Sequence, residues 1–483
     1  MNRRQFMQGL GTCGTLMALS GCGGSGGDSS TNSPSPGSGV TPPDPTPAPS
    51  TIFDLEIQKA QFLLRDQITT DLISLSSDQP PPVLHLNQDQ NTIINLTNAS
   101  EDHTAMHWHG IRLPNDMDGV PYLTQLPIAQ GETFAYEFTP PDAGTYWYHP
   151  HCLTMVQMAY GLTGALIVHE KDEPGFDDDH VLNLIDFLLD ENDQLDTPYT
   201  LNNAARGGTL GNHMTANWLT APEYECKAGG LARIRLINTD TTRIRQLFLS
   251  TSDLVIIAWD GQPVEESIPV PTIESPLILG PGQRADLIVL MPELEGESID
   301  VLAALGASGS RVMASFISTG VSLSRSLNDV TPLPPNPLSQ PDMQNAEILD
   351  FLFGWSPLGL VPPNNGVCGT LGNNFWSINR VAYPGDNAPT NEALAMLERG
   401  KTYIMKLTNG SPNIHPIHLH GLVFKPIFSN KRNIPANWTD TIVLQRDEVV
   451  DVVLVADNPG DWAFHCHVIE HQKTGLAGFI SVV

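Results

Sequence analysis

Residues 95–110 read NLTNASEDHTAMHWHG, and residues 406–421 read KLTNGSPNIHPIHLHG. Both stretches are 16 residues long, share Leu-Thr-Asn and one Ser, and end in His-x-His-Gly. Farther along, Gly144-Thr-Tyr-Trp-Tyr-His-Pro-His151 parallels Gly460-Asp-Trp-Ala-Phe-His-Cys-His467. Each is followed by a Gly-Leu-x-Gly, at Gly161–Gly164 and Gly475–Gly478. The three matches are offset by 311, 316 and 314 residues, so a whole domain recurs with small loop changes. Around them the chain shows short alternating runs broken by Gly, Pro, Asn and Asp, such as Thr92–Leu96, Ala232–Ile237 and Asp286–Leu290. Such runs are strands of sandwich or barrel domains. Residues 225–295 have the same grammar without histidine pairs. The expectation is an all-β chain of three similar domains, 51–170, 171–320 and 321–483, with the chemistry in the first and last. The best helical candidate is Asn391–Arg399.

Composition narrows the function. The 483 residues suffice for several buried cores. With 53 acidic against 24 basic side chains, the net charge of −29 excludes nucleic-acid or anionic-membrane binding through charge. Forty-one Gly and 40 Pro exclude coiled coils and helical solenoids. Residues 1–22 read as processing signals rather than fold. Arg3-Arg4 before a weakly apolar stretch resembles a Tat export signal, and Leu19-Ser-Gly-Cys22 resembles a lipoprotein cleavage box that leaves Cys22 lipidated. Residues 23–50 follow as a tether, 23 of the 28 being Gly, Ser, Pro or Thr. The expected address is the periplasm or cell envelope, with the membrane touched only through the lipid anchor. Which membrane holds it is not legible. That address permits disulfides. Cys152, Cys226 and Cys368 allow at most one pair, and the sequence does not choose it.

Ten of the 15 histidines fall in four clusters: His107-Trp-His109, His149-Pro-His151, His415-Pro-Ile-His418-Leu-His420 and His465-Cys-His467-Val-Ile-Glu-His471. One His-x-His is often structural; four such clusters point to metal. On a strand, residues i and i+2 share a face while i+1 points the other way. Each pair therefore aims two imidazoles into one site, and Cys466 faces away from His465 and His467. A thiolate with two imidazoles is the donor set of a blue copper site, and His415 and His471, standing off the pairs, are available to it. The other eight histidines suit copper in a cluster. His85, His103, His169, His180 and His213 read as surface or structural.

These motifs resemble the four copper-binding signatures of the multicopper oxidases, specifically the three-domain laccase-like enzymes. They occur in family order at the two ends of the chain, and the resemblance extends over residues 55–483. It implies three cupredoxin-like Greek-key β-barrels and four copper ions per chain. It implies His415, Cys466 and His471 on type 1 copper, and His107 and His418 on type 2. It further implies His109, His149 and His467 on one type 3 copper, with His151, His420 and His465 on the other. Pro150 stands where Cys466 does in the second copy, so the first domain has no blue site of its own. The family's axial position is Leu476, which cannot coordinate. A three-coordinate site favours Cu(I) and raises the reduction potential. Asp118 aligns with a carboxylate that the family places by the cluster. Gln472 stands where many bacterial members have a second acid, which leaves the proton path open and Glu470 as a substitute.

The activity so implied is one-electron oxidation of phenols or aromatic amines coupled to four-electron reduction of O2 to water. Substrate is expected near His415 or His471, with electrons passing through Cys466 to His465 and His467. A metallo-oxidase acting on Mn(II), Fe(II) or Cu(I) is the alternative. The 13 Met are scattered, with Met155 and Met158 the nearest approach to the Met-rich insertion of cuprous oxidases. A copper-free structural protein of the cell envelope would have lost its ligand residues, whereas all eleven are present. Gly354–Asn374 reads as a lid or a surface loop, and a monomer is expected.

Overall fold

The computed structural model describes residues 50–483 apart from 66–67, 173, 359–366, 369–372, 384 and 386–391. The expected signal with Cys22, and the tether up to residue 49, lie outside the described residues, as does much of the stretch expected to form a lid.

The alternating runs form six sheets in three successive pairs. In the first pair, one sheet runs in the order Ile68–Ser74, Thr51–Arg65, Thr92–Asn98, Thr133–Phe138; its mate runs Leu84–Asn87, Gly164–His169, Gly144–Pro150, Met106–His109. The middle pair has six and five strands, and the last pair five and five. Each pair begins the same way. An opening strand lies parallel to a later one, with Thr51 opposite Thr92, Asp178 opposite Ala232, and Glu347 opposite Tyr403. Each pair also closes with a parallel pairing, Leu84 on Leu166, Glu223 on Ser315, and Ala395 on Ile480. The remaining pairings named between strands are antiparallel, which makes the Greek-key barrel three times over.

The period-2 pattern explains why these residues make strands: every second residue of Thr92–Asn98 is buried. Ile94, Leu96 and Tyr136 from the first pair join Phe353, Leu407 and Phe464 from the last in one core. The middle pair has its own, built on Leu184, Ile234, Leu236 and Leu287.

One expectation fails. Residues 392–399 are not helical; Ala395–Leu397 is an edge strand parallel to Ala477–Val482. Flanking bonds from Leu394 N to the Phe479 carbonyl and from Arg399 N to the Val483 carbonyl continue the pairing. Helix propensity is a weak prior here, because the sheet offers those amides partners and buries Leu397. Asn391 lies outside the described residues. The open disulfide question resolves as Cys152–Cys368, while Cys226 is a free, buried thiol with its Sγ 3.3 Å from His180 Nε2.

A buried ionic knot joins the first and middle sheet pairs. Asp286 Oδ2 accepts from Thr145 Oγ1 at 2.9 Å, from Arg233 Nη2 at 2.7 Å and from Arg235 Nη1 at 3.4 Å. All four residues are 0–1% exposed. Removing the carboxylate leaves Arg233 with Glu170 and Arg235 with Asp179 as their remaining anions and empties the buried centre of the knot. Asp286→Ala is therefore expected to lose about 3–5 kcal/mol of stability, seen as a lowered thermal midpoint in calorimetry.

Candidate metal centre

Two hairpin-like pairings present the histidines. In the first sheet pair, Met106–His109 runs antiparallel to Gly144–Pro150, with His107 opposite His149. In the last, His415–Leu419 runs antiparallel to Gly460–Cys466, with His418 opposite His465 and Ile417 opposite Cys466. Cys466 thus shares a face with Ile417, inside the hydrophobic core, while His465 turns the other way with His418.

The histidines and Cys466 converge in four groups of their own, besides a fifth in which His107 and His420 meet Asp118, each with one ligand atom per residue and those atoms within 4.8 Å of one another. The four are His107, His109 and His418; His109, His149 and His467; His151, His420 and His465; and His415, Cys466 and His471. All eleven side chains are 0–2% exposed. The first three groups adjoin: the His107 and His420 ring centroids are 3.7 Å apart, and those of His109 and His418 likewise. None of the five other histidines enters a group. His85 Nδ1 and His169 Nε2 lie 2.9 Å apart in a pair at the surface, and His213 Nε2 bonds the Leu64 carbonyl at 2.8 Å.

A neutral imidazole has one N–H and one lone pair, and the surroundings decide which nitrogen carries which. His107 Nδ1 donates to the Asp118 carbonyl at 2.9 Å, His418 Nδ1 to the Asp440 carbonyl at 2.9 Å, and His149 Nδ1 to the Pro150 carbonyl at 3.1 Å. Nε2 of all three rings is then buried without a hydrogen-bond partner. His109 Nδ1, His151 Nδ1 and both nitrogens of His467 are unpartnered too. Burial, then the neighbouring imidazoles, holds His109, His151, His420 and His467 well below the usual histidine range. His149 and His465 are held there by the same two causes, and a carbonyl bond only partly offsets them. Buried lone pairs on neutral, oriented rings are what a metal ion requires, so these residues fit copper.

Two carboxylates fix the rings. Asp118 Oδ2 accepts from His420 Nδ1 at 2.9 Å, and its Oδ1 lies 3.2 Å from His107 Nδ1. Asp440, a residue that no motif in the sequence flags, lies 3.1 Å through Oδ1 from His109 Nε2 and 3.4 Å from His418 Nδ1. Burial alone would raise the Asp440 carboxyl, but the Arg284 guanidinium, 2.8 Å away, overrides it and holds the group low. Burial pushes the carboxyl of Asp260, 3.4 Å from the Arg284 guanidinium, up. Arg284 follows the middle-domain turn Gly280-Pro281-Gly282-Gln283. Nothing in the sequence marks that turn as a neighbour of the cluster. Gln472, in the second-acid position, sets its amide nitrogen 3.3 Å from His151 Nε2. Burial raises Glu470 to about 7, although Thr209 donates to it from both its backbone N–H and its hydroxyl.

In the fourth group, Cys466 Sγ is 3.5 Å from His415 Nδ1 and 3.6 Å from His471 Nδ1, and those two nitrogens are 3.1 Å apart. Burial pushes the Cys466 thiol up in the free protein and His471 down to about 4. A soft ion takes thiolate and neutral imidazole together. Leu476 is fully buried, bonded through its backbone to both Cys466 and His471. Both outward nitrogens of this group are covered. His415 Nε2 lies 2.8 Å from Ser411 Oγ, and His471 Nε2 donates to the Arg206 carbonyl at 2.6 Å. A backbone carbonyl reaching across from the middle domain leaves no trace in the sequence.

Two different sequence profiles, both described as multicopper oxidase, match the chain, one over residues 56–173 and the other over 361–483. The crystal structure of a multi-copper oxidase from Pseudomonas thermotolerans is 34% identical, with a TM-score of 0.81, covering 90% of this chain and 100% of that one. The multicopper oxidase MmcO of Mycobacterium tuberculosis is 29% identical over 82% of this chain and 80% of its own. Laccase-1 of Cryptococcus neoformans is 26% identical over 89% of this chain and 80% of its own.

Gly282 bears on two of the groups at once. It has φ +94°, and an added Cβ would sit 3.0 Å from His109 Cε1 and 3.1 Å from a His467 ring carbon. A side chain there is strained by the backbone and pressed into the rings. Gly282→Val is expected to bind fewer than four copper ions while keeping its blue absorption, as checked by metal analysis beside the visible spectrum.

Proposed function

The chain belongs to the multicopper oxidase family, copper-binding oxidoreductases that use O2, and on that premise we propose that it oxidises phenols or aromatic amines one electron at a time. The observation that carries the reading is the pairing of a His2Cys set with an eight-histidine set through three consecutive residues, His465-Cys466-His467. In this reading His415, Cys466 and His471 hold type 1 copper. His107 and His418 hold type 2 copper, and His109, His149, His467 with His151, His420, His465 hold the type 3 pair. Bound copper supplies one-electron acceptance at the first set and reduction of O2 at the second.

The residues have separable tasks. Cys466 donates its thiolate on one face of the strand, while its two neighbours serve the other set. The backbone between them is the shortest covalent route the chain offers from one set to the other. Leu476, buried and apolar in the core that also holds Cys466, would offer a bound ion no further ligand, which would favour the reduced state. Asp118 orients His107 and His420 and is the carboxylate we propose relays protons to the cluster, since four protons must reach each O2. Asp440, held ionised by Arg284, fixes the tautomers of His109 and His418.

A phenolic donor is favoured over a metal ion by what touches the outward imidazole nitrogens. Among the described residues their partners are a hydroxyl and a backbone carbonyl, neither of them a carboxylate that would bind a cation. The acidic balance of the whole chain favours the metallo-oxidase reading instead. We further propose domains at 51–170, 171–320 and 321–483, Tat export, lipidation at Cys22, a periplasmic or cell-envelope address and a monomeric state. The Arg3-Arg4 pair, the Cys22 box and the tether composition support the export and anchoring.

O2 uptake by the copper-loaded enzyme tests the substrate, comparing a methoxyphenol with Mn(II), Fe(II) and Cu(I), each corrected for uncatalysed oxidation. A higher kcat/KM for the phenol is expected; a higher value for a metal ion makes it a metallo-oxidase. Cys466→Ser is expected to abolish both the blue colour and turnover with the fold intact by circular dichroism. Asp118→Asn should slow reoxidation of the reduced enzyme by about 10²-fold or more in stopped flow, leaving reduction of the blue site by substrate unchanged.

A further inference from the structure

Both histidines of the Cys466 set are fully buried. A donor that cannot displace Ser411 or the Arg206 carbonyl therefore has no imidazole edge to touch. An aromatic route does lead out. Trp376, also fully buried, has its ring centroid 4.9 Å from His415 and 4.5 Å from His471, at interplanar angles of 78° and 45°. Its Nε1–H donates to the Ala204 carbonyl at 2.7 Å, which locks the indole in place. Trp355 stands directly opposite it on the neighbouring strand, with the rings 5.5 Å apart at 54°.

Trp355 is 45% exposed, although it lies on the same face of its strand as the buried Phe351 and Phe353. Those two pack edge-on against Phe464, at 5.2 and 5.7 Å, in the core behind the thiolate. The aromatic row thus runs from the core to solvent at the type 1 end of the sheet and ends in an indole open to solvent. A cross-strand Trp pair stabilises a sheet by burial of its faces; that role alone does not account for contacts that continue onto both copper-binding rings.

We propose that Trp355 is the docking face and electron port for phenolic donors too bulky to reach His471, with Trp376 bridging it to the His415–Cys466–His471 set. This rests on the copper oxidase reading of that set. A phenol stacked on the indole gives up one electron, which passes by way of Trp376 to the oxidised type 1 site; its hydroxyl proton leaves to water, and a phenoxyl radical departs. Neither indole is consumed, and four such events with four protons convert one O2 into two waters.

The test uses the copper-loaded enzyme, Trp355→Leu and Trp355→Phe. Anaerobic stopped flow follows bleaching of the blue band by lignosulfonate, a polymeric phenol, and by a monomeric methoxyphenol. Binding of lignosulfonate to the fully reduced enzyme under argon, followed by sedimentation, reports docking without turnover. We expect Trp355→Leu to bleach at least tenfold more slowly with the polymer and to lose polymer binding. Its copper content, blue spectrum and thermal midpoint should match the parent. Trp355→Phe, which keeps a ring in the row, should fall by no more than about threefold. Polymer bleaching and binding at parental levels in Trp355→Leu would overturn the inference and leave the copper oxidase reading standing. A parent enzyme bleached by Mn(II) or Fe(II) and by neither phenol would overturn the phenolic reading and this inference together.

Discussion

Ten imidazoles are packed away from water, burial pushes nine of them toward the neutral form, and a neutral ring carries one nitrogen that donates and one that must accept. The arrangement around the site follows from meeting that demand without water. Backbone carbonyls at Asp118, Pro150 and Asp440 take the donated protons of His107, His149 and His418, and the carboxylates of Asp118 and Asp440 bind four rings in all. The lone pairs left over converge. Without a cation they would leave a set of buried, unsatisfied acceptors, which a folded core does not tolerate cheaply. Oriented lone pairs and a missing positive charge are one fact seen from two sides.

The middle domain contributes no histidine to either set, yet it touches both. Gly282 packs on His109 and His467, Arg284 holds Asp440, and the Arg206 carbonyl receives the His471 proton. Gln283 reaches the Thr441 carbonyl as well, at 2.9 Å. The three barrels are therefore not two reactive ends and a spacer. The central one sets how closely the rings approach and what covers the His415–Cys466–His471 group from outside.

The sequence carried the donor set because strand periodicity is short and strict. His-x-His must put two rings on one face, and an intervening Cys must point away, so the split of residues 465–467 between two sets could be read before any coordinates. The opening repeat carried the architecture for a similar reason, since matching strands need matching spacing. What escaped was long-range or blind to side-chain identity. Asp440 lies in an ordinary Trp-Thr-Asp-Thr run and matters only because Arg284, 156 residues earlier, meets it. The Arg206 carbonyl would be the same group in any residue. Residues 392–399 are rich in helix formers, yet Ala395–Leu397 within them became an edge strand because a parallel neighbour satisfied their amides. The choice of Cys368 over Cys226 as partner of Cys152 depends on which loops meet, which spacing does not encode.

The central claim is that two donor sets on opposite faces of one strand hold one copper ion and three. Anomalous diffraction from crystals of the copper-loaded protein, collected above and below the copper absorption edge, tests it most directly. Four peaks are predicted: one among His415, Cys466 and His471, and three among the eight remaining histidines, with none beside Leu476 outside the first. A peak missing between Cys466 and its two histidines, or a single ion in place of three among the others, would contradict the account.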